Sequence, residues 1–183
     1  MKKATVILLC LLVLAGCSTE KYRYDQPDTP SCSMSGYDLE TDSFHELTLQ
    51  QLYDGIDTKK TMIVLLSHIT CPWCQALVPV VDEVAKEREL GIYYIDADRE
   101  FLNDERLLEI CQDIPNKTAV DEEGNPCLYL PSILYIRQGM LIDIHVGTVS
   151  GHDASAMGLS EKQRARLVYN LEKEIDALLG ADK

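Results

Sequence analysis

Basic residues are scarce in this chain: 17 Lys and Arg stand against 30 Asp and Glu, a formal charge of -13 over 183 residues. Binding to nucleic acid rests on a basic face, so this deficit argues against that class of partner. Long hydrophobic runs are missing too. The apolar stretch at 4–15 falls short of the roughly 20 residues that a membrane-spanning helix needs. There is no internal repeat, no low-complexity tract and no glycine-rich phosphate loop. Gln75 stands where covalent haem attachment would need a histidine, and His45-Glu46 lacks the second histidine of a metalloprotease helix. His152-Asp153 has no nearby serine elbow and reads as a polar loop. No cofactor is implied by any of these patterns. What is present is 46% apolar and 26% charged residues, enough for one domain with a real core.

The first residues form a targeting signal. Lys2 and Lys3 precede the 4–15 run, whose length suits the hydrophobic part of a secretory signal. Its end, Leu14-Ala15-Gly16-Cys17, resembles the lipobox of bacterial lipoproteins. That resemblance implies cleavage before Cys17, acylation of Cys17, and a domain held at the extracytoplasmic face of a membrane. The alternative is an ordinary cleaved signal with an incidental cysteine. Two or more acyl chains on one residue suffice for stable attachment. The acidic remainder would not bind anionic headgroups by itself, so lipid would have to supply the attachment.

Residues 17–43 then read as a flexible tether: the stretch is polar, carries Pro27, Pro30 and Gly36 with scattered Tyr22, Tyr24 and Tyr37, and shows no sustained period. As a coil it would reach roughly 28 Å. The folded domain is expected over 44–183. A short strand is predicted at 44–47, and Thr48 with Gln51 forms a capping box that opens a helix to about Asp57. Residues 62–66 form a continuous apolar run of strand length, as expected of a strand buried on both faces. A helix follows from the Cys71 region to about Glu89, then a strand at 92–95. Leu107, Ile110, Cys111 and Ile114 recur at helical spacing. Two strands at 132–137 and 140–146 flank Gln138-Gly139 as a hairpin. In the second of them, alternation puts His145 on the solvent side. A last helix opens at a second capping box, Ser160 with Gln163, and buries Leu167, Leu171, Ile175 and Leu178. Strands and helices alternate, which makes an α/β sandwich.

Seven cysteines remain to be placed. Cys71 and Cys74 directly follow the buried strand and open a helix, where unpaired backbone N–H groups and the helix dipole stabilise a thiolate. Pro72 suits the first helical turn because its missing donor would have had no partner there.

The run from Ile63 to Ala85, with Thr70-Cys71-Pro72-Trp73-Cys74 at its centre and Pro79 five residues beyond the second cysteine, resembles the active-site strand and helix of the thioredoxin superfamily. Leu130-Pro131-Ser132 and the following strand to Gly139 look like that family's cis-proline loop, strand and turn. The resemblance covers about residues 44–179 and implies a thioredoxin-like three-layer sandwich, a central mixed β-sheet with flanking helices. It further implies that Cys71 is the exposed nucleophile, that Cys74 resolves the mixed disulfide, and that Leu130, Pro131, Thr70, Pro72 and Trp73 shape the site.

The chain departs from the family's pattern in places. The buried acid that many thioredoxins carry six residues before the first cysteine is Leu65 here, and the tryptophan that usually precedes the pair is Thr70. Pro-Trp between the cysteines is closer to the Pro-aromatic pairs of glutaredoxins and of some extracytoplasmic oxidases and isomerases. The lipobox, Cys71-Pro72-Trp73-Cys74 and an acidic C-terminal helix look most like small thioredoxin-like proteins of Gram-positive bacteria, including the bacteriocin-accessory group.

Cys111 and Cys127 bracket an insertion, 112–126, that reads as a long acidic loop. They would be either a disulfide staple worth about 3 kcal/mol in the chain-entropy model or two free buried thiols. Cys32 is left over on the tether. Metal is a competing use of cysteine, but one close pair with distant Cys111 and Cys127 is not zinc-ribbon spacing. His68 beside the pair reads more simply as hydrogen-bonded than as a ligand.

The expected activity is therefore thiol-disulfide exchange on protein cysteines, with a membrane redox partner to reset the pair. The rivals are a binding or chaperone module with a fixed Cys71–Cys74 disulfide and a surface metal carrier.

Overall fold

A computed structural model describes residues 21–97, 103–112, 114, 119–120, 124 and 126–181. The expected signal at 1–16 and the expected anchor at Cys17 lie outside the described residues.

The elements follow from local chemistry. Strand β1 (Phe44–Glu46) leads into helix α1 (Leu49–Asp57), whose Thr48 and Gln51 cap each other reciprocally as the capping-box pattern predicts. Strand β2 (Met62–Ser67) is buried at every position. Helix α2 (Pro72–Glu87) is capped by Cys71 and carries Pro79 inside it, and strand β3 (Ile92–Asp96) follows. Helix α3 (Glu105–Gln112) precedes the short strands β4 (Ala119–Val120) and β5 (Pro126–Cys127), which pair antiparallel. The segment expected to be a long loop thus contains a small ladder. Strands β6 (Ser132–Arg137) and β7 (Met140–Val146) form the hairpin. Its turn residues Gln138 and Gly139 both have positive φ, the geometry that matches strand twist. Gly139 is required there, since a Cβ would stand 2.2 Å from the Ile56 carbonyl oxygen. Helix α4 (Glu161–Leu179) starts at the Ser160–Gln163 capping box and ends at the left-handed Gly180.

The main sheet has the order β1-β3-β2-β6-β7, with β1, β3 and β2 parallel and β6 and β7 antiparallel to their neighbours. Alternation along β2 sorts the core: Ile63 and Leu65 face α2 and α4, while Val64 and Leu66 face α1 and α3. Leu77, Val81, Leu167 and Leu171 complete the first layer, and Leu52, Leu107, Leu134 and Ile144 the second. The fold is a thioredoxin-like three-layer α/β sandwich around a mixed sheet. Among the described residues no helix is long and apolar enough to cross a membrane.

Two expectations need correction. From Lys21 onward the supposed tether is packed on the domain. The Tyr22 N–H donates to the Leu179 carbonyl, Asp25 exchanges hydrogen bonds with Thr61, and the Cys32 N–H donates to the Phe44 carbonyl. Tyr24, Met34 and Tyr37 are buried in the core. The segment covers β1, which would otherwise leave an open sheet edge. His145 is not on the solvent side. It is buried beneath α4, where its Nδ1 lies 3.0 Å from Glu174, whose carboxylate also accepts the Tyr135 hydroxyl. Alternation assumes one wet face, whereas helices cover both faces of this sheet.

Candidate functional site

The site lies at the carboxyl end of β2, where the chain turns into α2. Cys71 is the N-cap of that helix, in extended conformation, and its Sγ accepts the Cys74 N–H at 3.4 Å. A sulfur in this position satisfies a backbone donor that the first helical turn leaves open. Pro72 occupies the first helical position, exposed, and Trp73 is half-buried beside it. The preceding turn, with exposed Thr70, is closed by the Cys71 N–H donating to the His68 carbonyl.

The two sulfurs are close but differ in environment. Cys71 is half-buried, and its thiol is directed at the Leu130 carbonyl, 3.7 Å away. Leu130 precedes Pro131 through a cis peptide bond. Strand pairing between β2 and β6 brings this loop to the start of α2, so residues some sixty positions apart in sequence meet. Cys74 is fully buried. Its Sγ accepts the His68 N–H at 3.4 Å, with the Cys71 thiol and the Ser67 hydroxyl beside it. Burial above all, with the Cys71 thiol second, pushes its pKa up to about 12. This asymmetry suits thiol-disulfide exchange: one sulfur can be reached from outside, and the other is held in reserve beside it.

The expected cluster of Cys71, Cys74, Pro72, Trp73, Thr70, Leu130 and Pro131 is therefore brought together. Cys111 and Cys127 are not part of it. Both stand as thiols, the second of the two alternatives; Cys111 is buried on α3, which pushes its pKa up to about 12, and Cys127 is half-buried on β5. Leu65, where the family pattern has an acid, packs in the α2/α4 core.

Sequence reasoning missed Tyr37, Ser67, Tyr94 and the structural part of Gln75, whereas His68 is hydrogen-bonded as expected. The Tyr37 hydroxyl lies 2.8 Å from Ser67 Oγ and 3.4 Å from the Tyr94 hydroxyl. Gln75 on α2 donates to the carbonyls of Gly36 and Ile69, tying the short 3-10 turn Ser35–Tyr37 to the active-site loop. His68 Nδ1 and Asp96 Oδ1 are 2.8 Å apart at the rim. The available signal was three tyrosines in a polar segment, since rings of that size seldom stay in water without a contact.

No family model matches the chain, and no curated protein matches it either.

Proposed function

We propose that the protein is a thiol-disulfide oxidoreductase that acts on the cysteines of other proteins at the extracytoplasmic face of a bacterial membrane. The observation that carries this reading is the accessible Cys71 sulfur at the start of α2, with the buried Cys74 sulfur in contact behind it and the Leu130–Pro131 loop in front. Cys71 attacks a substrate disulfide and forms a mixed disulfide. Cys74 then displaces the substrate and closes the Cys71–Cys74 bond, so that two electrons pass to the substrate without large movement. Thr70, Pro72, Trp73, Leu130 and Pro131 line the approach. A redox partner in the membrane resets the pair.

The anchor rests on Leu14-Ala15-Gly16-Cys17 and the short apolar run before it. Acylated Cys17 holds the domain at the membrane, in the manner of small thioredoxin-like lipoproteins of Gram-positive bacteria. Cys17→Ser should move the chain from the membrane to the soluble fraction of a bacterial expression host. Unchanged membrane association of that variant would refute the lipid anchor.

The activity is tested by equilibrating the pair against glutathione, with Cys71→Ser as control. A reversible two-electron couple between about -270 and about -120 mV is expected, the low end meaning a reductase and the high end a disulfide donor. A chain that never equilibrates and behaves like the control would leave a binding module in place of an enzyme.

A further inference from the structure

Resting on the oxidoreductase reading, we propose that the hydroxyls of Ser67, Tyr37 and Tyr94 form a proton path that connects the buried Cys74 sulfur to an open cavity on the far side of the active-site loop. Cys74 must lose a proton before it can attack, and its sulfur has no contact with water. Its sulfur accepts the His68 N–H at 3.4 Å, and the Cys71 sulfur and the hydroxyl of Ser67, the residue before His68 on the chain, stand beside it. A backbone N–H donates and cannot take a proton. Cys71, once joined to a substrate, is a disulfide sulfur and a poor base. The Ser67 hydroxyl can both accept and donate.

Ser67 is itself fully buried, so a proton reaching it needs an onward route. Its Oγ lies 2.8 Å from the Tyr37 hydroxyl, which lies 3.4 Å from that of Tyr94. Tyr37 and Tyr94 line a cavity of about 600 Å³ that opens to solvent and is also bordered by Cys32, Glu46, Ile69 and Asp96. The titratable groups around the path are thus Cys71 at the N-cap of α2, Cys32 and Glu46 across the cavity, and Asp96 on β3 with His68 bonded to it. Burial raises the pKa of both tyrosines, so they stay protonated and pass a proton on by accepting one as they donate another. The edge-on packing of Tyr37 against Tyr94, with ring centroids 6.3 Å apart, fixes their orientation.

In the resolving step the Cys74 proton passes to Ser67 as the hydroxyl protons shift outward, and one proton leaves to water in the cavity. The Cys74 thiolate attacks Cys71 Sγ, the Cys71–Cys74 bond forms, the bond to the substrate breaks, and the substrate sulfur leaves as a thiolate that is protonated by solvent. Ser67 stands beside the reacting sulfur; Tyr37 and Tyr94 act through it and are positioning residues.

The test mixes the reduced full-length chain with an aromatic disulfide, dithiobis-nitrobenzoate, whose coloured thiolate is released once when Cys71 attacks and again when Cys74 closes the ring. A Cys71→Ser chain run alongside reports the remaining thiols. Ser67→Ala and Tyr37→Phe should slow the second release by about ten- to a hundredfold at neutral pH and shift its rise to higher pH. In strong alkali, where hydroxide takes the proton directly, they should converge on the native rate. Ser67→Thr, which keeps the hydroxyl, should retain most of the native rate. The first release does not use the Cys74 proton and reports folding; should Tyr37→Phe not fold, Ser67→Ala decides. A native second release at every pH would overturn the proton path, as would a slowing by one constant factor at all pH values, which means a displaced sulfur. A native chain with no second release would instead overturn the oxidoreductase reading itself.

Discussion

Cys74→Ser should yield a chain that attacks a disulfide once and then stops. Cys71 keeps its place at the N-cap of α2, half-buried and reachable, so the first bond still forms. With an oxygen at position 74, nothing beside Cys71 displaces the substrate. The chain should therefore accumulate as a covalent adduct, seen by non-reducing electrophoresis and by a mass increase equal to one substrate half. Multiple turnover should fall by about 10³-fold or more, the scale on which loss of one member of a catalytic unit is felt. Cys71→Ser should lose turnover by a similar factor and form no adduct at the site, because the Cys74 sulfur has no exposed surface. The pH dependence has a defined sign. Burial holds the Cys74 thiol up at about 12, so its thiolate fraction, and with it ring closure, increases across the whole neutral to alkaline range. Equal adduct formation by both single variants would mean that Cys74 is as accessible as Cys71, and the assignment of attacking and resolving sulfurs would fail.

The frame that holds the two sulfurs was readable in the sequence because it depends on local chemistry. The apolar run in β2, the cysteine and proline that start α2, and the two capping boxes each specify a conformation within a few residues, and all four appear as expected. The contact of Cys71 with Leu130 is long-range, yet it follows once β2 and β6 are paired, since pairing fixes where the following loop must lie. His145, Tyr37 and residues 21–43 were misread or missed for one shared reason. Each is placed by another layer of the molecule. His145 is buried because α4 brings Glu174 onto the sheet. Tyr37 matters because Ser67 happens to stand opposite it, 30 residues away. The early segment has no period of its own because, apart from the short turn Ser35–Tyr37, it forms neither helix nor strand; backbone hydrogen bonds to α4, to Thr61 and to Phe44 hold it in place. Composition reports flexibility only where no distant partner exists to remove it.

That segment gives the second large expectation. Tyr24→Ala should destabilise the domain by about 3–5 kcal/mol, the range for truncating a large buried side chain. The Tyr24 ring is buried in the α2/α4 core, its hydroxyl donates to the Gly91 carbonyl at 2.6 Å, and it accepts the Ile63 N–H at 3.3 Å. Truncation empties that space and leaves two backbone groups, one on β2 and one just before β3, to find new partners. Gln26 is bonded to Gly91 and Glu89 next to it, and Gly91 is held so close to Pro27 that a Cβ would stand 2.6 Å from its ring, so the stretch cannot easily shift to fill the gap. For a chain of this length the loss corresponds to a fall in Tm of about 10 °C. Tyr24→Phe keeps the ring and loses only the hydroxyl, so it should cost about 1 kcal/mol, which separates packing from hydrogen bonding. Thermal or denaturant unfolding of the three chains reads both numbers. A change of under about 0.5 kcal/mol for Tyr24→Ala, the size of an ordinary surface substitution, would return this segment to the status of a tether. In that case Tyr37, thirteen residues further along the same strap, would have no fixed seat beside Ser67. The fold and the proton path therefore depend on the same piece of chain, and loosening one end of it should be felt at the sulfur.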